Sequence, residues 1–218
     1  RMSPSPITAF PETNYNEALR LMQQNQIKSL PIVNKQGKLM GIVTRGDMLK
    51  AEPSPVTTLT AYEIVSLLEK VTMKKIMNAP VYAVDENCSI TNAANFMLEN
   101  KINCLPVMQD EKLVGIITDT DIFKTFVEIT GGGQAGTHIE ARMPDQQGQL
   151  APFVQAVTNA GSYIASIVIN YEENGYGYVD VKERGGDEAV IQEELKKLTS
   201  VDNINFRASG QDKLLQFG

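Results

Sequence analysis

The chain carries the same segment twice. Residues Met2 to Lys50 recur as Met77 to Lys124, at an offset of 75 and then 74 residues. In the first copy a helical run with Ala18, Leu19, Leu21 and Met22 leads to Leu30-Pro31-Ile32-Val33 and then to Gly41-Ile42-Val43-Thr44-Arg45-Gly46-Asp47. The second copy gives Ala93, Ala94, Phe96 and Met97, then Leu105-Pro106-Val107-Met108, then Gly115-Ile116-Ile117-Thr118-Asp119-Thr120-Asp121. A unit of this length is too short to bury a core by itself, so two copies imply a pseudo-symmetric pair with matched clefts at their junction. Function is to be sought in those clefts.

Each copy reads as a short entry strand, a helix, two strands and a second helix. In copy one Ile7-Thr8-Ala9 is extended after Pro6, and Asn14 or Asn16 caps a helix that runs through Met22. Ile32-Val33 and Met40 to Val43 are strands joined by the turn Lys35-Gln36-Gly37-Lys38, which copy two shortens to Gln109-Asp110-Glu111-Lys112. The strands are unbroken apolar runs, which predicts burial on both faces. Ala51-Glu52-Pro53-Ser54-Pro55 reads as a stiff connector, and Ile64, Leu67, Leu68 and Val71 place a helix over Ala61 to Met73 that leads into the second copy.

After Ile129 the chain turns glycine-rich at Gly131-Gly132-Gly133-Gln134-Ala135-Gly136, without the Gly-Lys-Ser/Thr ending of a phosphate loop, so a flexible linker or a close-packing hinge is expected. Beyond it the period changes. Ile139, Ala141 and Met143 alternate with polar residues as in a half-buried strand, a loop follows at Asp145 to Gln149, and an apolar helix spans about Leu150 to Asn159. Strands at Tyr163 to Asn170 and Gly177 to Lys182 flank the hairpin signal Asn174-Gly175. A helix carrying Ile191, Leu195 and Leu198 and a last strand with Ile204 and Phe206 complete a βαββαβ order, the ferredoxin-like arrangement. The expected fold class is therefore an α/β and α+β chain. Its divisions are copy one at 1–55, linker helix and copy two at 56–129, a glycine-rich linker at 130–136 and the βαββαβ domain at 137–218.

Residues 1–136 hold 13 Lys+Arg against 14 Asp+Glu, and residues 137–218 hold 7 against 12, for a net charge of −6. Neither part offers the basic surface needed to neutralise a phosphate backbone, so no nucleic-acid partner is expected, whereas a few backbone N–H groups and one local cation suffice for a single nucleotide. No apolar run approaches the roughly 18–20 residues of a membrane span, so no membrane role and a cytoplasmic location are expected. Cys88 and Cys104 lack a second ligand pair and read as reduced core thiols; His138 is the only histidine, so no multi-histidine metal site can form.

The doubled Gly-hydrophobe-hydrophobe-Thr-x-x-Asp carries the chemistry. Its strand ends at the Thr and the Asp opens the next helix, so hydroxyl and carboxylate face one crevice, where the carboxylate can accept sugar hydroxyls and the Thr and helix N–H groups can meet a phosphate. The alternative is that Asp47 and Asp121 are helix caps. With the repeated Leu-Pro dipeptides, this half resembles a pair of CBS domains, a Bateman module, over roughly residues 1–126. The resemblance implies a regulatory unit binding AMP, ADP, ATP or S-adenosylmethionine, with Thr44 and Asp47 in one site and Thr118 and Asp121 in the other. Pro31 and Pro106 belong to these sites, and the backbone at Ile7-Thr8 and Tyr82-Ala83 is expected beside the adenine. Arg45 is a candidate phosphate contact, where the second copy has Asp119, so the two clefts should bind unequally.

The loop Asp145-Gln146-Gln147-Gly148-Gln149-Leu150 is the second candidate: Gly148 permits a tight turn, and N–H groups at the helix start can hold a carboxylate. With Ala160-Gly161-Ser162-Tyr163 this half resembles an ACT domain, which implies dimerisation or binding of an amino acid or other small metabolite through Asp145, Gly148, Gln149 and Leu150. CBS pair followed by ACT domain resembles the acetoin utilisation B-type proteins. Two Asp/Thr pairs with no metal cluster or activated nucleophile do not build an acid–base machine, so a non-catalytic homodimeric sensor without catalytic residues or cofactor, acting on an unknown partner enzyme, is expected. The alternative is a constitutive scaffold with degenerate clefts.

Overall fold

Pairing in the first half is decided by two prolines in mid-strand. The computed structural model describes residues 2–53 and 58–209. Its elements in the first half are β1 (Ser3–Pro4), α1 (Tyr15–Gln24), β2 (Ser29–Val33), β3 (Leu39–Thr44), α2 (Arg45–Ala51), α3 (Ala61–Glu69), α4 (Met73–Ile76), β4 (Val84–Asp85), α5 (Ile90–Asn100), β5 (Cys104–Gln109), β6 (Lys112–Thr118) and α6 (Asp119–Ile129). In copy one β2 pairs antiparallel with β3, and on its other side a single parallel bridge joins Ala9 to Ile32 through Ala9 N–H to Pro31 O (3.0 Å) and Val33 N–H to Ala9 O (2.9 Å). The next rung of a parallel ladder would be an N–H from residue 31 to the Ile7 carbonyl. Proline has none, so the pairing stops at Ala9. This shortens the entry strand expected at Ile7-Thr8-Ala9 to one residue. Copy two repeats the device: β4 pairs parallel with β5 at Val84↔Val107, and Pro106 withholds the rung that would reach Tyr82.

The copies exchange their leading residues. β1 pairs antiparallel with β6 of the other copy, at Ser3↔Ile116, giving a sheet ordered β1-β6-β5-β4. By the same symmetry Asn78 bridges to Ile42 of β3, with Ile42 N–H to Asn78 O at 3.1 Å and the reverse bond at 2.9 Å. The motif glycines accommodate this exchange. A Cβ on Gly41 would lie 2.6 Å from Met77 Sδ, and one on Gly115 would lie 2.2 Å from Met2 Sδ. Neither glycine has positive φ, so close packing rather than turn geometry excludes a side chain there.

One core gathers Tyr15, Ala18, Met22, Leu30, Ile32, Val43 and Met48, together with Leu68 of α3 and Met73 of α4. The linker helix thus ends at Glu69 rather than Met73 and packs on copy one before leading into copy two. A second core holds Val84, Ala93, Met97, Leu105, Val107 and Ile117. The β2 strand is buried throughout, as its unbroken apolar run predicts. The Ser54-Pro55 part of the connector lies outside the described residues.

The second half contains β7 (Thr137–Pro144), α7 (Leu150–Asn159), β8 (Tyr163–Tyr171), β9 (Tyr176–Arg184), α8 (Glu188–Lys196) and β10 (Asp202–Ala208) in an antiparallel sheet ordered β10-β7-β9-β8. Ile139, Ala141, Met143, Val179 and Val181 face Phe153, Ala156 and Val157 of α7 and Ile191 and Leu195 of α8. The chain divides into two compact units between Phe123 and Lys124, so the end of α6 and the glycine-rich stretch belong to the second unit. That stretch is packed down: Lys182 Nζ donates to the Gly131 carbonyl at 2.7 Å, and Gly136, at φ +155°, passes so close to the Glu183 carbonyl that a Cβ would lie 2.3 Å from its oxygen. No helix among the described residues is long and apolar enough to cross a membrane.

Candidate functional site

The strand–helix junction of each copy is locked by its own Thr and Asp. Thr44 caps α2: its Oγ1 accepts from the Asp47 amide (3.3 Å), while Asp47 Oδ2 accepts from the Thr44 amide (2.9 Å) and hydroxyl (2.6 Å). The box is repeated at Thr118 and Asp121, where Oδ2 accepts from the Thr118 amide at 2.9 Å and the hydroxyl at 2.8 Å. The capping reading is therefore realised in both copies, a contribution on the order of 1 kcal/mol each. It occupies one carboxylate oxygen of Asp47, which also accepts from Asn78 Nδ2 at 2.8 Å; Oδ1 has no hydrogen-bond partner among the described residues. Burial acts to raise the Asp47 pKa, but the Thr44 hydroxyl and amide, then Asn78 and the charge of Lys50, outweigh it and hold the carboxyl below its ordinary value.

A cleft of about 580 Å³ opens over this junction. Its walls include Ile42, Thr44 and Asp47 from copy one and Asn78, Pro80, Val81, Tyr82 and Lys101 to Cys104 from copy two. The exchange of leading segments builds it, because Asn78, which is hydrogen-bonded to Ile42, carries the following Pro80-Val81-Tyr82 across Asp47. Tyr82 is 63% exposed, and Pro106 leaves its carbonyl without the β5 rung. The volume lies within the roughly 300–1,000 Å³ typical of small-molecule sites.

Thr44, Asp47 and Tyr82 thus line one cleft, whereas Arg45 and Ala83 are not among its walls. Arg45 is exposed, its amide donates to the Lys28 carbonyl (2.8 Å), and its charge acts on the Tyr15 phenol. That phenol is pushed up by burial, by its hydrogen bond to Glu52 and by the charge of that carboxylate, with Arg45 opposing. The cation at the cleft is Lys101, which no motif announced; it caps α5 in the left-handed region at φ +54°. Pro31 and Pro106 are buried in β2 and β5, and act by ending the ladders rather than by lining the cleft. Thr118 and Asp121 form the matching junction in copy two, with Ser3 opposite Ile116 as Asn78 is opposite Ile42. Ile7 and Thr8 lie between β1 and the Ala9 bridge to β2.

Cys104, at the cleft, hydrogen-bonds with Ser29, its counterpart in copy one, so the pair marks the pseudo-twofold axis. Burial, then the charges of Asp119 and Asp47, raise its pKa against the Ser29 bond. In the second unit Gly148 has φ +90°, as the tight turn requires, and Asp145 N–H bonds the Gly175 carbonyl at 2.9 Å. Gln149 caps α7 without a side-chain hydrogen bond and accepts from Ser200 (2.7 Å), with Leu150 packed against the core of that unit. Among the described residues no group of three His, Cys, Asp or Glu could hold a metal ion.

The chain is similar to the uncharacterized protein MJ1426 of Methanocaldococcus jannaschii, 29% identical over 145 residues, 56% of this chain and 86% of the relative. It is 32% identical to the L-aspartate semialdehyde sulfurtransferase of the same organism over 126 residues, 57% of this chain but 22% of that enzyme. Among solved structures, the CBS domain pair of protein MJ0100, in complex with 5′-methylthioadenosine and S-adenosyl-L-methionine, superposes with a TM-score of 0.48 at 32% identity, over 57% of this chain and 90% of that one. The family model for the CBS domain matches residues 2–54 and 73–128, the two copies. The chain belongs to the CBS domain family.

Proposed function

We propose that the chain is a regulatory, non-catalytic sensor that binds an adenine nucleotide or S-adenosylmethionine between its two CBS copies. The observation that carries this reading is the cleft over Asp47: a carboxylate with one oxygen committed to the cap and one unpaired, a threonine at the strand end, an exposed aromatic ring, and a lysine. The free Oδ1 is suited to ribose hydroxyls, Tyr82 to the base and Lys101 to a phosphate. At the repeat offset Gln26 (φ +53°) stands where the first cleft has Lys101 (φ +54°), so the copy-two junction, without that cation, is the weaker site. In the same reading the second unit is an ACT domain that dimerises or binds a small metabolite through the Asp145–Leu150 loop. The sensor is a cytoplasmic homodimer acting on a partner enzyme of acetoin or related carbon metabolism, as the CBS–ACT order suggests.

The capping role of Asp47 and Asp121 favours a second reading, a constitutive scaffold whose motif persists for the fold alone. A thermal-shift screen with AMP, ADP, ATP and S-adenosylmethionine separates the two. A ligand at about 100 times its Kd stabilises the folded chain by about 2.7 kcal/mol. Absence of any shift in a folded sample selects the scaffold.

A further inference from the structure

A second pocket lies on the face of the second unit's sheet that the helices leave open. Alternation along β7 sends Ile139 and Ala141 into the core and leaves His138 and Glu140 on the other side, opposite Lys182 and Asp180 of β9. With Arg207 of β10 and the turn Gly132 to Ala135 these residues enclose about 550 Å³. It lies at the start of β7, whereas the Asp145–Leu150 loop follows the strand's other end, roughly 20 Å away at about 3.4 Å per residue.

The pocket's two carboxylates, Asp180 and Glu140, equal its two cations, Lys182 and Arg207, in number but do not pair with them one for one. Asp180 is met by His138 Nδ1 at 3.0 and 3.2 Å, and because a carboxylate only accepts, that nitrogen is assigned the proton. Glu140 is met by Arg207 at 3.6 Å and by Asn205 at 3.4 Å. Lys182 has no ion pair among the described residues. It is 2% exposed, its ammonium donates to the Gly131 carbonyl alone, and among the described residues no carboxylate lies within 4.0 Å of it. One carbonyl answers one of three N–H groups, and a buried cation without a counter-charge is costly. The burial is built in: a Cβ on Gly131, at φ +69°, would lie 3.0 Å from Lys182 Cδ, so glycine lets the turn lie on the lysine stem. The Ser209 hydroxyl, on the same pocket wall, is buried with no hydrogen-bond partner among the described residues.

We propose that this pocket binds a small oxyanion, a carboxylate or a phosphate, which supplies the counter-charge of Lys182 and takes further hydrogen bonds from Arg207 and the Ser209 hydroxyl. The site is independent of the nucleotide clefts. Its test has an internal reporter, because His138 is the chain's only histidine. Imidazole proton resonances of the full chain are followed at fixed pH and ionic strength during separate titrations with inorganic phosphate and with acetate, against sodium chloride. The expected result is a saturable shift with at least one oxyanion and none with chloride, abolished in Lys182→Met and weakened about tenfold or more in Arg207→Gln. Phosphate alone or acetate alone identifies the headgroup. No saturable shift with either oxyanion overturns the proposal, as does a wild-type titration in Lys182→Met. Should that variant not fold, unchanged affinity in Arg207→Gln, at an exposed position, overturns it instead.

Discussion

Replacing Gly41 by alanine tests the exchange of leading segments, and it does so by sign. Gly41 sits in β3 with ordinary strand φ, where alanine is worth about 0.5–1 kcal/mol more than glycine if nothing is in the way. Here Met77 is in the way. The new Cβ would lie 2.6 Å from its Sδ, 2.8 Å from its Cγ and 3.0 Å from its Cβ. The sulfur can swing aside, but the Cβ can retreat only with the backbone that carries the Asn78–Ile42 bonds. Overpacking of this kind costs about 1–3 kcal/mol, which leaves Gly41→Ala destabilised by up to about 2.5 kcal/mol after the strand gain. In a Met77→Ala background the obstacle is gone, and the same substitution should be neutral or stabilising by up to about 0.5–1 kcal/mol. The coupling in the double-mutant cycle is then the packing cost itself, about 1–3 kcal/mol, read from urea denaturation of the four chains. Additivity within about 0.5 kcal/mol, or stabilisation of the parent by Gly41→Ala, would refute the packing argument. Because Asn78 follows Met77 and donates to Asp47, Gly41→Ala should also weaken nucleotide binding.

Asp47→Ala should remove adenine-nucleotide binding more completely than Asp121→Ala, by calorimetry; the reverse order would show that the copy-two cleft is the stronger. Lys101→Met should weaken AMP about tenfold, the worth of one charge-assisted hydrogen bond, and leave adenosine unchanged. The Asp47 carboxyl is held below its ordinary pKa, so its contribution to stability is present above the unfolded carboxylate range and is lost as pH falls through the lowered value. Asp47→Asn should therefore narrow the difference in stability between pH 7 and about pH 3, and an unchanged difference would contradict the assignment. Cys104, buried and with a raised pKa, should react with maleimide more slowly than the half-buried Cys88, and AMP should slow it further because Cys104 lines the cleft. Equal labelling with and without AMP would place the nucleotide elsewhere.

The duplication, the strand–helix junctions at Thr44 and Thr118, and the alternation of β7 were legible because each is a pattern of residue types at fixed spacing. The exchange of leading segments was not, since a strand as short as Ser3–Pro4 has no periodicity of its own. The available signal was a coincidence between copies: a methionine at 2 and 77 matched by a glycine at 115 and 41. Arg45 stands inside the motif and Lys101 outside it, yet a residue at the start of a helix can point away from the crevice its neighbours face. Lys101 enters from the end of α5, which the fold and not the chain order brings to Asp47. Lys182 read as the polar side of a strand, and only the glycine turn closing over it makes it a buried charge.

The box at Thr44–Asp47 has a consequence for how such chains diverge. Half of the Asp47 carboxylate holds the start of a helix whether or not anything occupies the crevice. A lineage that stopped using the ligand would still be selected to keep that aspartate, and its vestigial crevice would remain invisible to motif comparison. The informative positions are Tyr82 and Lys101, whose side chains take no part in the capping box and whose drift would record the loss first.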